Sequence, residues 1–120
     1  MNFAPRVLVV DASADSREVL CALLSRHGAK TLEAHRPEQA VQLADLYQPD
    51  LILFDADSDR SRTGSGTADL RAVASRSGTP IVILGTVRGT ARVPQTGQII
   101  SKPYHYGPLI DKIEDLLAAA

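Results

Sequence analysis

The sequence predicts an α/β fold: a doubly wound, five-stranded parallel sheet in a three-layer sandwich. Three observations point to it. Short aliphatic runs rich in Val, Ile and Leu recur along the chain, as strands buried on both faces of a parallel sheet require. Segments with apolar residues at helical spacing separate those runs, which implies right-handed crossovers and helices on both faces. Two of the runs end in aspartate, Asp11 and Asp55, at the strand ends where such sheets bind ligands.

The elements follow in order. Arg6 to Asp11 is a continuous aliphatic run and reads as the first strand. Ser13 or Asp15 caps a helix from Asp15 to His27, whose Val19, Leu20, Leu23 and Leu24 recur on one face and which Gly28 stops. Ala29 to Ala34 is a short second strand. Pro37 suits a first helical position, and Ala40, Val41, Ala44 and Tyr47 form an apolar stripe down to Pro49, which ends the second helix. Asp50 to Asp55 is a third buried strand, and the Ser, Gly, Asp and Arg composition of Ala56 to Thr67 predicts a mobile loop. Leu70, Val73 and Ala74 mark a third helix stopped by Gly78, before the fourth strand, Pro80 to Leu84. Thirteen residues containing Gly85, Gly89, Pro94 and Gly97 separate Leu84 from Gln98, so the helix expected there is shortened or missing. Gln98 to Lys102 is the fifth strand, and Leu109, Ile110, Ile113, Leu116 and Leu117 define an amphipathic final helix.

Composition bounds the function. The 120 residues make one domain, 1–120, and 44% hydrophobic with 22% charged residues is an ordinary globular balance. Aromatic residues are 4% with no Trp, which argues against stacking platforms for single-stranded nucleic acid. A net charge of −1 argues against nucleic acid or an anionic membrane as the main partner. That charge is uneven: seven basic residues between Arg60 and Lys102 face one acid, Asp69, whereas Met1 to Asp59 is acidic. Those arginines read as solvated, Arg60 and Arg62 on a flexible loop where they could fold over an anion. Cys21 is the only cysteine, set among leucines, and reads as a buried small hydrophobe. His27, His35 and His105 have no metal-ligand spacing and read as surface residues. The N-terminal apolar run is too short for a signal peptide and no stretch reaches the ~18 residues of a membrane span, so the reading is cytoplasmic.

The strand ends bring Asp11, Asp55, the Leu84 to Thr86 segment and Lys102 to one rim. Carboxylates gathered together repel and call for a cation, and an oxygen-rich acidic rim suits Mg²⁺ alongside phosphate oxygens. An aspartate so placed can attack a phosphoryl group, with metal and lysine offsetting the transferred charge.

These motifs resemble the CheY-like receiver domain of two-component response regulators over nearly the whole chain. The resemblance rests on Val-Leu-Val-Val-Asp11, Pro49-Asp-Leu-Ile-Leu-Phe-Asp55, Pro80-Ile-Val-Ile-Leu84 and Lys102-Pro103, in order and at family-like spacing. It implies a flavodoxin-like (βα)5 sandwich and phosphorylation of Asp55 by a sensor histidine kinase or phosphotransfer protein, within a phosphorelay. It further implies Mg²⁺ held by Asp11, Asp55 and the carbonyl of Asp57, Lys102 sensing the phosphoryl charge, and a Lys102-Pro103 peptide held cis. The output partner is not named by any residue. As a phosphoacceptor, such a domain is a signalling module rather than an enzyme.

The departures are specific. The second acid of the first-strand motif is Ala12, which removes a direct metal ligand and weakens Mg²⁺ by about tenfold or more; the Asp57 side chain is the candidate to restore that charge. The switch hydroxyl position is Gly85, with Thr86 as a substitute one residue on, and the rotating aromatic of the fifth strand is Ile99. The expected function is therefore an atypical, weakly phosphorylated receiver. The competing reading is a pseudo-receiver that keeps the fold as a phosphorylation-independent interaction module. Leu-Ile-Leu-Phe-Asp55-Ala-Asp57-Ser58 also resembles the first motif of haloacid dehalogenase-like phosphohydrolases, but the paired acids that family carries on a further strand are absent after Gly107.

Overall fold

The computed structural model describes residues 4–85 and 97–119. Five strands, β1 (Arg6–Val10), β2 (Lys30–Ala34), β3 (Leu51–Asp55), β4 (Ile81–Gly85) and β5 (Gly97–Ser101), pair in parallel in the order β2-β1-β3-β4-β5. Four helices accompany them: α1 (Ala14–Arg26), α2 (Pro37–Tyr47), α3 (Ser65–Ser77) and α4 (Tyr106–Ala118). The doubly wound α/β class expected from the sequence is the one observed. The shortened helix expected between the fourth and fifth strands, and Thr86 with it, lie outside the described residues.

Side chains alternate faces along a strand, so each aliphatic run feeds two cores. Leu8, Val10, Ile52, Phe54, Ile81 and Ile83 point to one face, where α2 and α3 cover them with Ala40, Ala44, Leu70, Val73 and Ala74. Val7, Val9, Leu51, Leu53, Val82 and Leu84 point to the other, covered by Leu20 and Leu24 of α1 and Leu109, Ile110 and Ile113 of α4. Every residue of β3 and β4 is buried, which explains why these runs do not alternate with polar residues. With each buried aliphatic side chain worth ~1.5–3 kcal/mol, these two cores are the main source of stability. They hold the strand ends still.

Local signals set the helix ends. The Ser13 hydroxyl accepts the Ser16 N–H at 3.2 Å and caps α1, while Pro37 opens α2. Gly78 ends α3 at φ 67°, a left-handed conformation that glycine adopts without steric cost.

The segment from Ala56 to Thr67 departs from the expected mobile loop at both ends. Ala56–Ser58 forms a 3₁₀ turn and α3 already begins at Ser65. One side chain organises what lies between: Asp59 Oδ1 accepts from the Ser61 N–H and hydroxyl, and Oδ2 accepts from the Thr67 N–H and hydroxyl, at 2.6–3.0 Å. Burial pushes the Asp59 carboxyl up, but the hydrogen bonds from Ser61 and Thr67 outweigh it and hold the pKa at about 2. Cys21 is half-buried rather than enclosed, resting against the α1/α4 core, and burial raises its thiol pKa.

Candidate functional site

Strand register builds the site. Val10 lies opposite Phe54 across β1 and β3, so Asp11 and Asp55 leave the sheet side by side, where the strand order reverses between β1 and β3. β4 lies on the other side of β3, and β5 beyond it delivers Lys102, whose N–H donates to the Gly85 carbonyl at 3.1 Å. The Lys102-Pro103 peptide is cis. The rim encloses a cavity of about 300 Å³ lined by Asp11, Ala12, Asp55, Ser58, Arg60 and Lys102, among others.

Lys102 is the electrostatic centre. Its Nζ donates to Asp55 Oδ2 at 2.8 Å and to Asp57 Oδ2 at 2.9 Å. Partial burial disfavours the ammonium, yet the two carboxylates outweigh that cost and raise its pKa well above the usual lysine range. The other oxygen of Asp55, Oδ1, accepts the Asp57 N–H at 3.0 Å. Both Asp55 oxygens are thus oriented, and the side chain is 8% exposed.

Asp11 differs in one respect. It is 2% exposed, and its Oδ1 accepts the Ser13 N–H at 2.9 Å, while Oδ2 is buried with no hydrogen-bond partner. A buried carboxylate oxygen without a donor is costly, and a hard cation or a water is the usual remedy. The acid expected to compensate for Ala12 points elsewhere: the half-exposed Asp57 carboxylate pairs with Lys102. Among the described residues no group of three His, Cys, Asp or Glu side chains converges as a ready metal cage.

The sequence singled out Asp11, Ala12, Asp55, Asp57 and Lys102, and the fold gathers them. It also places Gly85 at the site, since a Cβ there would meet Ala56 Cβ at 3.2 Å and approach Asp57 Oδ1 at 3.9 Å. Ile99 is half-buried against the α2/α3 core. Three contributors went unseen in the sequence. Ser58, 3% exposed, accepts the Ala12 N–H at 2.8 Å and ties the β1 end to the 3₁₀ turn. Arg17 donates to the Asp11 carbonyl at 2.7 Å and pairs with Glu33 at 3.0 Å. Tyr104 packs edge-on against Tyr106 with ring centroids 5.8 Å apart; burial raises its pKa, followed by Tyr106 and the Asp55 and Asp11 charges. An aromatic directly after Lys102-Pro103 was the available signal for the last. His27 is exposed as expected but is not idle, since Nδ1 lies 2.9 Å from Glu114 Oε1 and links α1 to α4.

Comparison with known proteins follows the same lines. No protein-family profile matches the chain. The protein PilH of Pseudomonas aeruginosa is 32% identical over 81 residues, covering 68% of this chain and 67% of PilH. The phosphate regulon transcriptional regulatory protein PhoB of Escherichia coli is 32% identical over 95% of this chain, which spans about half of PhoB's length (52%). Among solved structures, the Vibrio cholerae chemotaxis protein CheY4 superposes with a TM-score of 0.76 at 21% identity, covering 95% of this chain and 99% of that one. The receiver domain of the hybrid histidine kinase CckA gives 0.74 at 20%, covering 93% and 98%. A two-component response regulator from Clostridium difficile gives 0.79 at 18%, covering 95% and 96%. The structural likenesses carry the fold and the sequence relatives carry the kinship: the chain belongs to the CheY-like receiver domains of two-component response regulators.

Proposed function

We propose that residues 1–120 act as one receiver unit that accepts a phosphoryl group on Asp55, with Mg²⁺ bound more weakly than an intact acidic pair would bind it. The observation that carries this reading is the Asp55 carboxylate, oriented at both oxygens by Lys102 and the Asp57 N–H on the wall of an open cavity. In the proposed step an Asp55 oxygen attacks the phosphorus of a phosphohistidine or small phosphodonor. The new O–P bond forms as the donor's P–N or P–O bond breaks, and the leaving group departs with the electron pair and takes up a proton. Lys102 stays on the transferred group as a fixed positive charge.

The residues fit a magnesium ion. The unpartnered Asp11 Oδ2 and the Asp55 carboxylate are hard oxygen donors, and a chain carbonyl such as that of Asp57 would complete the protein's share. When bound, the ion supplies charge neutralisation between the carboxylates and the incoming phosphoryl oxygens. Ala12 contributes no ligand, which supports the atypical character of the site.

A second reading is favoured by Ala12, Gly85 and Ile99: a pseudo-receiver that keeps the fold as a docking module. The phosphohydrolase reading has less support, because the residues after Lys102 enter α4 and, among the described residues, no strand follows to carry a second acidic pair. The signalling partners under the first reading are a histidine kinase or phosphotransfer protein. No helix among the described residues is long and apolar enough to cross a membrane.

Intact mass after incubation with Mg²⁺ and phosphoramidate tests the proposal. A gain of one phosphoryl group by the native chain, absent in Asp55→Asn, supports phosphotransfer. No gain under conditions that modify an ordinary receiver leaves the pseudo-receiver reading standing in its place.

A further inference from the structure

A second cavity adjoins the Asp55 cavity. It encloses about 340 Å³ and is lined by Ala12, His35, Arg36, Ser58 and Arg60. Ala12, Ser58 and Arg60 also line the Asp55 cavity, so these three form the shared wall. The residues that line the new cavity include two arginines and a histidine and no acid. The ion pairs among the described residues are Arg17–Glu33, His27–Glu114 and Lys102 with Asp55 and Asp57; Arg36 and Arg60 take part in none. Ser58 is 3% exposed and its oxygen accepts the Ala12 N–H, which leaves its own hydrogen to donate. Arg36 stands at the cap position of α2 and its side chain makes no capping hydrogen bond, so the guanidinium is not spent on the helix end.

Ala12 decides the sign of this cavity. An acid there would put a carboxylate on the wall that Arg60 also lines, whereas alanine leaves the lining cationic. Two arginines beside a buried hydroxyl are the donor set that phosphate geometry favours, since a guanidinium presents paired N–H groups to paired oxygens. We propose that this cavity is a non-covalent phosphate site, distinct from Asp55, in which Arg36 and Arg60 grip the oxyanion and Ser58 donates from the wall. The site works on the intact fold and needs no phosphoryl transfer.

The test uses the full chain carrying Asp55→Asn, so that it is independent of phosphorylation. Amide spectra are followed while sodium phosphate is added, with sodium chloride at matched ionic strength as the control. Saturable shifts at Ala12, His35, Arg36, Ser58 and Arg60, absent with chloride, are expected. Replacing both arginines, Arg36→Gln with Arg60→Gln, should weaken the apparent affinity about tenfold or more, as loss of charge-assisted hydrogen bonds implies. Both positions are exposed, and the unchanged remainder of the spectrum reports that the variant is folded. Non-saturating shifts, equal shifts with chloride, shifts confined to Lys102 and its neighbours, or unchanged affinity in the double variant would each overturn the proposal.

Discussion

Lys102 Nζ lies 2.8 Å from Asp55 Oδ2, joining the ends of β3 and β5 although 47 positions of sequence separate them and β4 runs between the two strands. The pair is unequal. Asp55 is nearly enclosed at 8% side-chain exposure, whereas Lys102 is open at 31%. Removing the lysine therefore strands a buried charge.

Lys102→Met should lower stability at neutral pH by about 1–2 kcal/mol, below the ~3–5 of a fully enclosed pair because solvent reaches the ammonium. Urea unfolding of both proteins measures it. The folded lysine pKa is raised, so the pair's contribution is complete below the ordinary value of 10.5 and declines only as pH climbs beyond it. A stability difference that vanished between pH 7 and 9 would contradict this.

Ala12→Asp should strengthen Mg²⁺ binding about tenfold, because it adds an anionic oxygen beside the unpartnered Asp11 Oδ2. Calorimetric titration with MgCl₂ gives the comparison. The contact that fixes this position is the Ala12 backbone N–H to Ser58, so the substitution leaves it intact. Equal affinities would mean that position 12 does not face the metal.

Asp59 anchors the chain between the 3₁₀ turn and α3, and Asp59→Ala should cost about 1–2 kcal/mol, as expected for loss of a helix-capping carboxylate. Its folded pKa of about 2 lies below the ordinary 3.8. The stabilisation is thus fully present above pH 3.8 and disappears as pH falls towards 2. Denaturant midpoints of the two proteins should differ constantly from pH 5 to 8 and converge in that acid window.

Gly66 packs under α2, where a Cβ would stand 2.9 Å from Pro37 Cβ and 3.0 Å from Pro37 Cγ. Alanine ordinarily gains ~0.5–1 kcal/mol over glycine in a helix, but overpacking costs ~1–3. Gly66→Ala should therefore lower the melting temperature. A rise would show that α2 and α3 separate freely.

What could be read from the sequence follows from physical range. Strand identity was legible because β1, β3 and β4 are buried on both faces from Val7, Leu51 and Ile81 onward and so carry nearly unbroken apolar runs. The rim residues Asp11, Asp55 and Lys102 were legible because strand ends fix where they emerge. Ser58 was not, since its contact with the Ala12 N–H spans 46 positions and depends on a 3₁₀ turn hidden in loop-like composition. Asp59 went unseen for the same reason: four hydrogen bonds to Ser61 and Thr67 make an ordered segment from residues that individually favour turns. The resemblance implied a metal role for the Asp57 carbonyl and left its side chain a candidate to replace the charge lost at Ala12; only side-chain geometry shows that carboxylate bonded to Lys102.

Whether Asp55 is the phosphoacceptor is decided by locating the modification in the chain. After treatment with phosphoramidate and Mg²⁺, borohydride reduces an acyl phosphate on aspartate to homoserine, which tandem mass spectrometry places in the sequence. Homoserine at position 55 alone is the predicted result. Homoserine at position 11, 57 or 59, or none anywhere, would contradict it.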